Sequence, residues 1–197
     1  MRFWPSSWCW LAGMLLCVAA SHAIAQEQAE FNPKPGFEVV SAKTTLVEDV
    51  LRLDALFDLR FSESLVEALR SGVSLNLEIE IEVVRERDYL WSTSIASLAQ
   101  RYQVSYQPLT KSYSLNNLNS QVEFQFPSLE SLLAVVSVMQ DFPLLDRSLL
   151  EGEGGRYWGE IRISVDRESF PVPLRLMSYV YGEWHLSSEW FEWSLLP

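Results

Sequence analysis

The stretch Val73-Ser74-Leu75-Asn76-Leu77-Glu78-Ile79-Glu80-Ile81-Glu82-Val83 alternates apolar and polar residues without a break. Successive side chains of an extended chain point to opposite faces. Val73, Leu75, Leu77, Ile79, Ile81 and Val83 therefore share one face, and Ser74, Asn76, Glu78, Glu80 and Glu82 share the other. A helix would scatter both sets around its circumference. Period two with one apolar face marks a half-buried strand, so a β fold is expected.

The same pattern recurs on both sides. Residues 37–45 read as a first strand. In 50–60, Leu51, Leu53, Ala55, Phe57 and Leu59 face one way, while Arg52, Asp54, Asp58 and Arg60 face the other. Ser64-Leu65-Val66-Glu67 fits a capping box and predicts a helix to about Ser71, stopped by Gly72 and pinned by Leu65, Ala68 and Leu69.

Downstream, 85–91 reads as a turn and 91–107 as an antiparallel return with Tyr102, Val104 and Tyr106 inward. Tyr113 and Leu115 mark another strand. Asn116-Asn117-Leu118-Asn119-Ser120 is turn chemistry, because Asn tolerates left-handed backbone angles. Val122, Phe124 and Phe126 then form one strand face, completing a meander.

Pro127 and Ser128 open a second helix, expected from Leu129 to about Gln140 and stopped by Pro143. Residues 149–155 are an acidic connection. Tyr157, Gly159, Ile161, Ile163 and Val165 alternate as a strand. Pro171 and Pro173 bracket an extended piece, and 184–195 reads as a final strand.

The expected fold is mainly β (α+β): an antiparallel sheet or β-sandwich of about eight strands with two short packed helices. A transmembrane β-barrel is the rival for alternating exported strands, but two helices interrupt the series.

The first 25 residues read as a cleavable secretory signal. Arg2 supplies the basic start, 8–20 is an apolar run, and Ala23-Ile24-Ala25 places small residues at −3 and −1. Cleavage is expected after Ala25, with retention as an anchor the alternative. The run is short for a bilayer span of about 20 apolar residues. Met14-Leu15-Leu16 lacks the small residue expected before a lipidated cysteine, which argues against Cys17 as an acceptor. Residues 26–36 are polar and proline-containing, a flexible leader before one β-rich domain at 37–197.

Both cysteines, Cys9 and Cys17, fall in the signal, so the domain is expected to fold without disulfides. The whole chain carries −11. Without Arg2, the signal's only charge, 14 basic and 26 acidic residues remain, a net of −12. That charge repels phosphate backbones and disfavours nucleic acid and anionic lipid. It suits solubility, a cationic ligand or a basic protein partner. No stable membrane span is expected after signal cleavage.

The chemistry-bearing residues are sparse. His185 is the one histidine beyond the signal. Ser187 and Ser188 stand close in sequence, but no nucleophile-elbow pattern accompanies them. One histidine and no cysteine make a zinc site improbable. Glu78, Glu80 and Glu82 recur at about 6.6 Å along one strand face. They could collect calcium, but a solvated face neutralised by cross-strand Arg or Lys is the simpler reading. Glu151-Gly152-Glu153-Gly154-Gly155 lacks the lysine and glycine spacing of a phosphate cradle and reads as a surface loop. No cofactor is implied.

The C-terminal region is strongly aromatic. Trp184 and Trp190 would share a strand face with Leu186 and Ser188, and Trp193 would lie on the other. Core and edge packing is the simpler reading. Even so, exposed aromatics suit protein or glycan contacts, so Trp184, Trp190, Trp193 and Tyr181 are the candidate binding surface.

The ordered segments are distinctive as a set. Ala68-Leu69-Arg70-Ser71-Gly72-Val73-Ser74-Leu75 leads into the long strand and Arg85-Glu86-Arg87. Tyr106, Leu109-Thr110-Lys111-Ser112-Tyr113 and Phe142-Pro143-Leu144-Leu145-Asp146 follow. Pro171-Val172-Pro173-Leu174-Arg175 and Trp184-His185-Leu186-Ser187-Ser188-Glu189-Trp190 close the series. This resembles the uncharacterised proteobacterial exported family called domain of unknown function 4390, over roughly 37–195. The resemblance implies a Gram-negative source and a periplasmic location, and transfers no catalytic residue. It also implies genes often adjacent to those for a ribosomal-RNA methyltransferase and a sensor kinase with a periplasmic region.

The expected function is therefore a periplasmic, non-enzymatic interaction protein whose partner is an envelope or membrane protein. The alternative is a carrier of a small apolar ligand or lipid, held between sheet and helix. A hydrolase using Glu, Asp or His185 is a third reading, and needs a defined cleft of carboxylates.

Overall fold

The computed structural model describes residues 34–86, 92–150 and 156–195. The expected signal peptide, most of the leader and the acidic loop at 151–155 lie outside them. All described elements belong to one compact unit, Lys34–Pro197.

β1 (Gly36–Val47) and β2 (Val50–Arg60) form a hairpin with Val47 opposite Val50. Its two turn residues, Glu48 and Asp49, have φ of 50° and 62°. Two left-handed residues match the right-handed twist of the flanking strands. After α1 (Glu63–Arg70), four strands follow as the expected meander: β3 (Leu75–Arg85), β4 (Thr93–Gln107), β5 (Ser112–Asn117) and β6 (Val122–Phe126). The chain then passes through α2 (Leu129–Val136), β7 (Val138–Asp146), β8 (Tyr157–Asp166), α3 (Val172–Val180) and β9 (Phe191–Ser194). The strands make a three-stranded sheet, β1-β2-β7, and a six-stranded sheet, β6-β5-β4-β3-β8-β9. Every strand pairing is antiparallel.

One core joins the two sheets. Leu51, Leu53, Ala55, Phe57 and Leu59 are buried on β2, and Leu75, Leu77, Ile79, Ile81 and Val83 on β3. Tyr157, Ile161, Ile163 and Val165 complete it from β8. These are the faces that alternation predicts. Each fully buried aliphatic side chain contributes about 1.5–3 kcal/mol relative to exposure. The architecture is a mainly β sandwich.

Four expectations are corrected. The second helix ends at Val136, and residues 138–146 are strand β7. Pro143 does not stop a helix; it sits opposite Arg52 at the free edge of the smaller sheet, where its missing N–H is harmless. The piece around Pro171 and Pro173 is not extended but begins α3. Prolines are tolerated in a first turn, whose N–H groups lack intrahelical acceptors. The final strand is confined to Phe191–Ser194, preceded by a 3-10 turn at Gly182–Trp184 and a single bridge, Ser164 to Ser187. The cap of α1 is Ser62, not Ser64: its hydroxyl accepts from Leu65 N at 3.3 Å. Leu65, Ala68 and Leu69 are buried as expected, and Gly72 ends the helix region with φ 90°.

Candidate interaction surface

The four candidate aromatic residues separate into three settings. Trp193 is a core residue, which corrects its placement on a binding surface: it is 8% exposed, with its ring packed over Gly159. Its indole Nε1 donates to Thr44 Oγ1 at 2.7 Å, which ties β9 to β1. Alternation along β9 turns Trp193 and Leu195 inward, so Trp190 lies on the outer face. There the Arg162 guanidinium stands 4.5 Å from the Trp190 ring centroid, and Arg162 also pairs with Glu80.

Trp184 and Tyr181 come together elsewhere, beside α1. Trp184 does not share a strand with Trp190; it ends the 3-10 turn and packs edge-on against buried Phe170, with centroids 5.9 Å apart. Both residues line a cleft of about 440 Å³ with Ala68, Val73, Leu174 and Glu67. Glu183 pins this turn to the start of α1. Its carbonyl accepts from Ser62 Oγ at 2.7 Å, and its carboxylate accepts from Ser64 Oγ at 2.7 Å.

α3 borders the same cleft through Leu174, and its opposite side is unusual. Val172, Leu176, Tyr179 and Val180 recur at i, i+4, i+7 and i+8, the spacing of one helix face. That face is exposed, with Val172 at 67%, Leu176 at 65% and Val180 at 75%, while Ser178 is buried. The helix is held in this pose by polar contacts. Arg175 donates to the carbonyls of Glu168 and Phe170, and Tyr179 OH donates to Glu168 Oε1 at 2.6 Å. That bond to the carboxylate holds the Tyr179 phenol above its ordinary value. Arg167 stands 4.9 Å from the Tyr179 ring centroid.

Four of the residues weighed for chemistry, Ser187, Ser188, Glu78 and Glu80, have structural partners. Ser187 Oγ donates to the Ser188 carbonyl at 3.0 Å, and Ser188 Oγ to the Glu189 carbonyl at 2.9 Å. Partial burial, and then the Arg167 guanidinium, hold His185 below its ordinary value. Glu78 pairs with Arg101 at 2.7 Å and Glu80 with Arg162, while Glu82 stands opposite Ser97 and Glu160. Among the described residues, no group of three His, Cys, Asp or Glu is arranged to hold a metal ion. No described helix is long and apolar enough to cross a membrane.

The family model for the domain of unknown function DUF4390 matches residues 34–194. The chain belongs to the DUF4390 family. The match begins two residues before β1 and ends with β9, so it spans both sheets of the sandwich. No curated protein matches the chain, and no solved structure does. For this DUF4390 domain the surface must therefore be read from its own residues. The apolar stripe of α3 was not legible in the sequence because Pro171 and Pro173, at the start of the helix, suggested an extended piece. The i, i+4, i+7, i+8 spacing was the signal present.

Proposed function

We propose that this DUF4390 domain is an exported, periplasmic, non-enzymatic interaction protein that docks an envelope or membrane protein on the surface of α3. The carrying observation is the outward stripe of Val172, Leu176, Tyr179 and Val180. A contiguous exposed apolar patch is a feature of protein and membrane interaction sites and of ligand grooves. The cleft on the other side of α3, with Tyr181 and Trp184, adds aromatic side chains beside the helix. Export is supported by the small residues at Ala23 and Ala25 after an apolar run. The extracytoplasmic part of a sensor kinase is the candidate partner. A photo-crosslinking residue placed at Leu176 in cells tests the reading, with fully exposed Leu109 as the control position. A specific envelope-protein adduct from 176 and not from 109 is expected. Equal or absent adducts at both positions overturn the proposal.

A second reading, a carrier of a small apolar ligand or lipid, is favoured by one feature. An open cleft of about 530 Å³ lies between α2 and the β1–β2 hairpin, lined by Val40, Leu56, Leu133 and Ala134 among others. Native mass spectrometry that finds only the bare polypeptide retires it.

A further inference from the structure

We infer that the edge of β6 pairs with the same edge of a second copy of this chain, joining the two six-stranded sheets across a two-fold axis at Phe124. A free edge presents unpaired backbone donors and acceptors, and proteins usually blunt such edges. Three of the four sheet edges among the described residues are blunted. β1 carries a bulge between Val39 and Ser41. β7 contains Pro143, and Asp141 in it has φ 55°. β9 lies against β1, to which Trp193 donates.

β6 has none of these devices. Val122-Glu123-Phe124-Gln125-Phe126 contains no proline, glycine or bulge, and pairs with β5 in unbroken register. Val, Phe and Phe alternate on one face, a composition that favours strands. Phe124 is 53% exposed although its partner on β5, Leu115, is buried. The apolar face of the sheet thus runs on to β6, where its side chains lose their cover.

The sequence of β6 is complementary to itself in one antiparallel register. With Phe124 opposite Phe124, Val122 meets Phe126 and Glu123 meets Gln125. The strand's only charge then faces a neutral amide, and no like charges oppose. The apolar residues of both copies fall on one continuous face. A two-fold interface requires this reciprocity, in which residue i meets j and j meets i. A strand of five residues buries less than the roughly 800 Å² per partner of a standard interface, so the association is concentration-dependent.

Sedimentation equilibrium of the purified protein over a wide concentration range tests the pairing. The wild type should move from monomer mass towards twice that mass as concentration rises. Phe124→Lys and Val122→Lys should both remain monomeric with unchanged circular dichroism. Leu176→Lys, on the remote α3 stripe, should dimerise as the wild type does. The inference is overturned if the wild type stays monomeric throughout, if either β6 variant that keeps its fold still dimerises, or if Leu176→Lys alone abolishes the dimer.

Discussion

The indole ring of Trp193 occupies the space that a side chain at Gly159 would need. The two residues are direct partners in the β8–β9 pairing. A Cβ on Gly159 would lie 2.2 Å from Cζ2 of the ring, well inside contact distance. Gly159→Ala should therefore destabilise the domain by about 1–3 kcal/mol through overpacking. Urea unfolding measures it. Trp193→Leu combined with Gly159→Ala should cost less than the sum of the two single changes, because the clash disappears. Additive losses would refute the contact.

Trp193 and Trp190 should respond unequally to truncation. Trp193→Ala empties a core position and frees Thr44 Oγ1, so a loss of about 3–5 kcal/mol is expected. Trp190→Ala removes a ring stacked on Arg162 at the surface, worth about 0.5–1 kcal/mol. Thermal melts of the two variants separate them. Similar losses would mean that Trp190 is also structural.

Ser62 serves two elements at once. It accepts from Leu65 N at the start of α1 and donates to the Glu183 carbonyl 121 residues away. Ser62→Ala should cost about 0.5–2 kcal/mol from the cap alone, with the unpaired carbonyl adding to that. Ser64→Ala removes only an exposed hydroxyl bonded to the Glu183 side chain, and should stay within about 0.5 kcal/mol. Equal effects would return the cap to Ser64.

His185 should titrate below its ordinary value of 6.5. Its imidazole is partly desolvated, and Arg167 opposes a second positive charge. The unfolded chain then binds more protons than the folded one just below pH 6.5. This residue's stabilising contribution is present above that pH and declines as pH falls. Proton NMR titration of the imidazole reads the midpoint directly, and Arg167→Gln should raise it. A midpoint at or above 6.5 in the wild type would contradict the geometry.

Much of the sandwich was legible because alternation is a strong local signal. The inward faces of β2, β3 and β8 follow residue by residue from period two. Two helices were visible from serine caps and apolar spacing, though Ser62 displaced Ser64 as the first cap. The candidate surface was less legible. Opposite faces for Trp190 and Trp193 followed from parity, but which face had a sheet over it did not. Residues 138–140 were misread as helix because the nearly unbroken apolar run at 132–139 suits a buried helix and a buried strand equally.

The sequence by itself determined which residues alternate, and so the strands of the meander and the side of each that seeks a core. These are properties of the backbone and its immediate neighbours. Only the tertiary structure decided what each apolar side would meet. β2 has an open edge, so β7 became its partner rather than the end of a helix. β1 lies against β9, so Trp193 went into the core, while Trp190 stayed outside on Arg162. Nothing described covers α3 or the edge of β6, so Leu176 and Phe124 remain exposed. Burial depends on which distant segment arrives, and residue spacing carries no record of that.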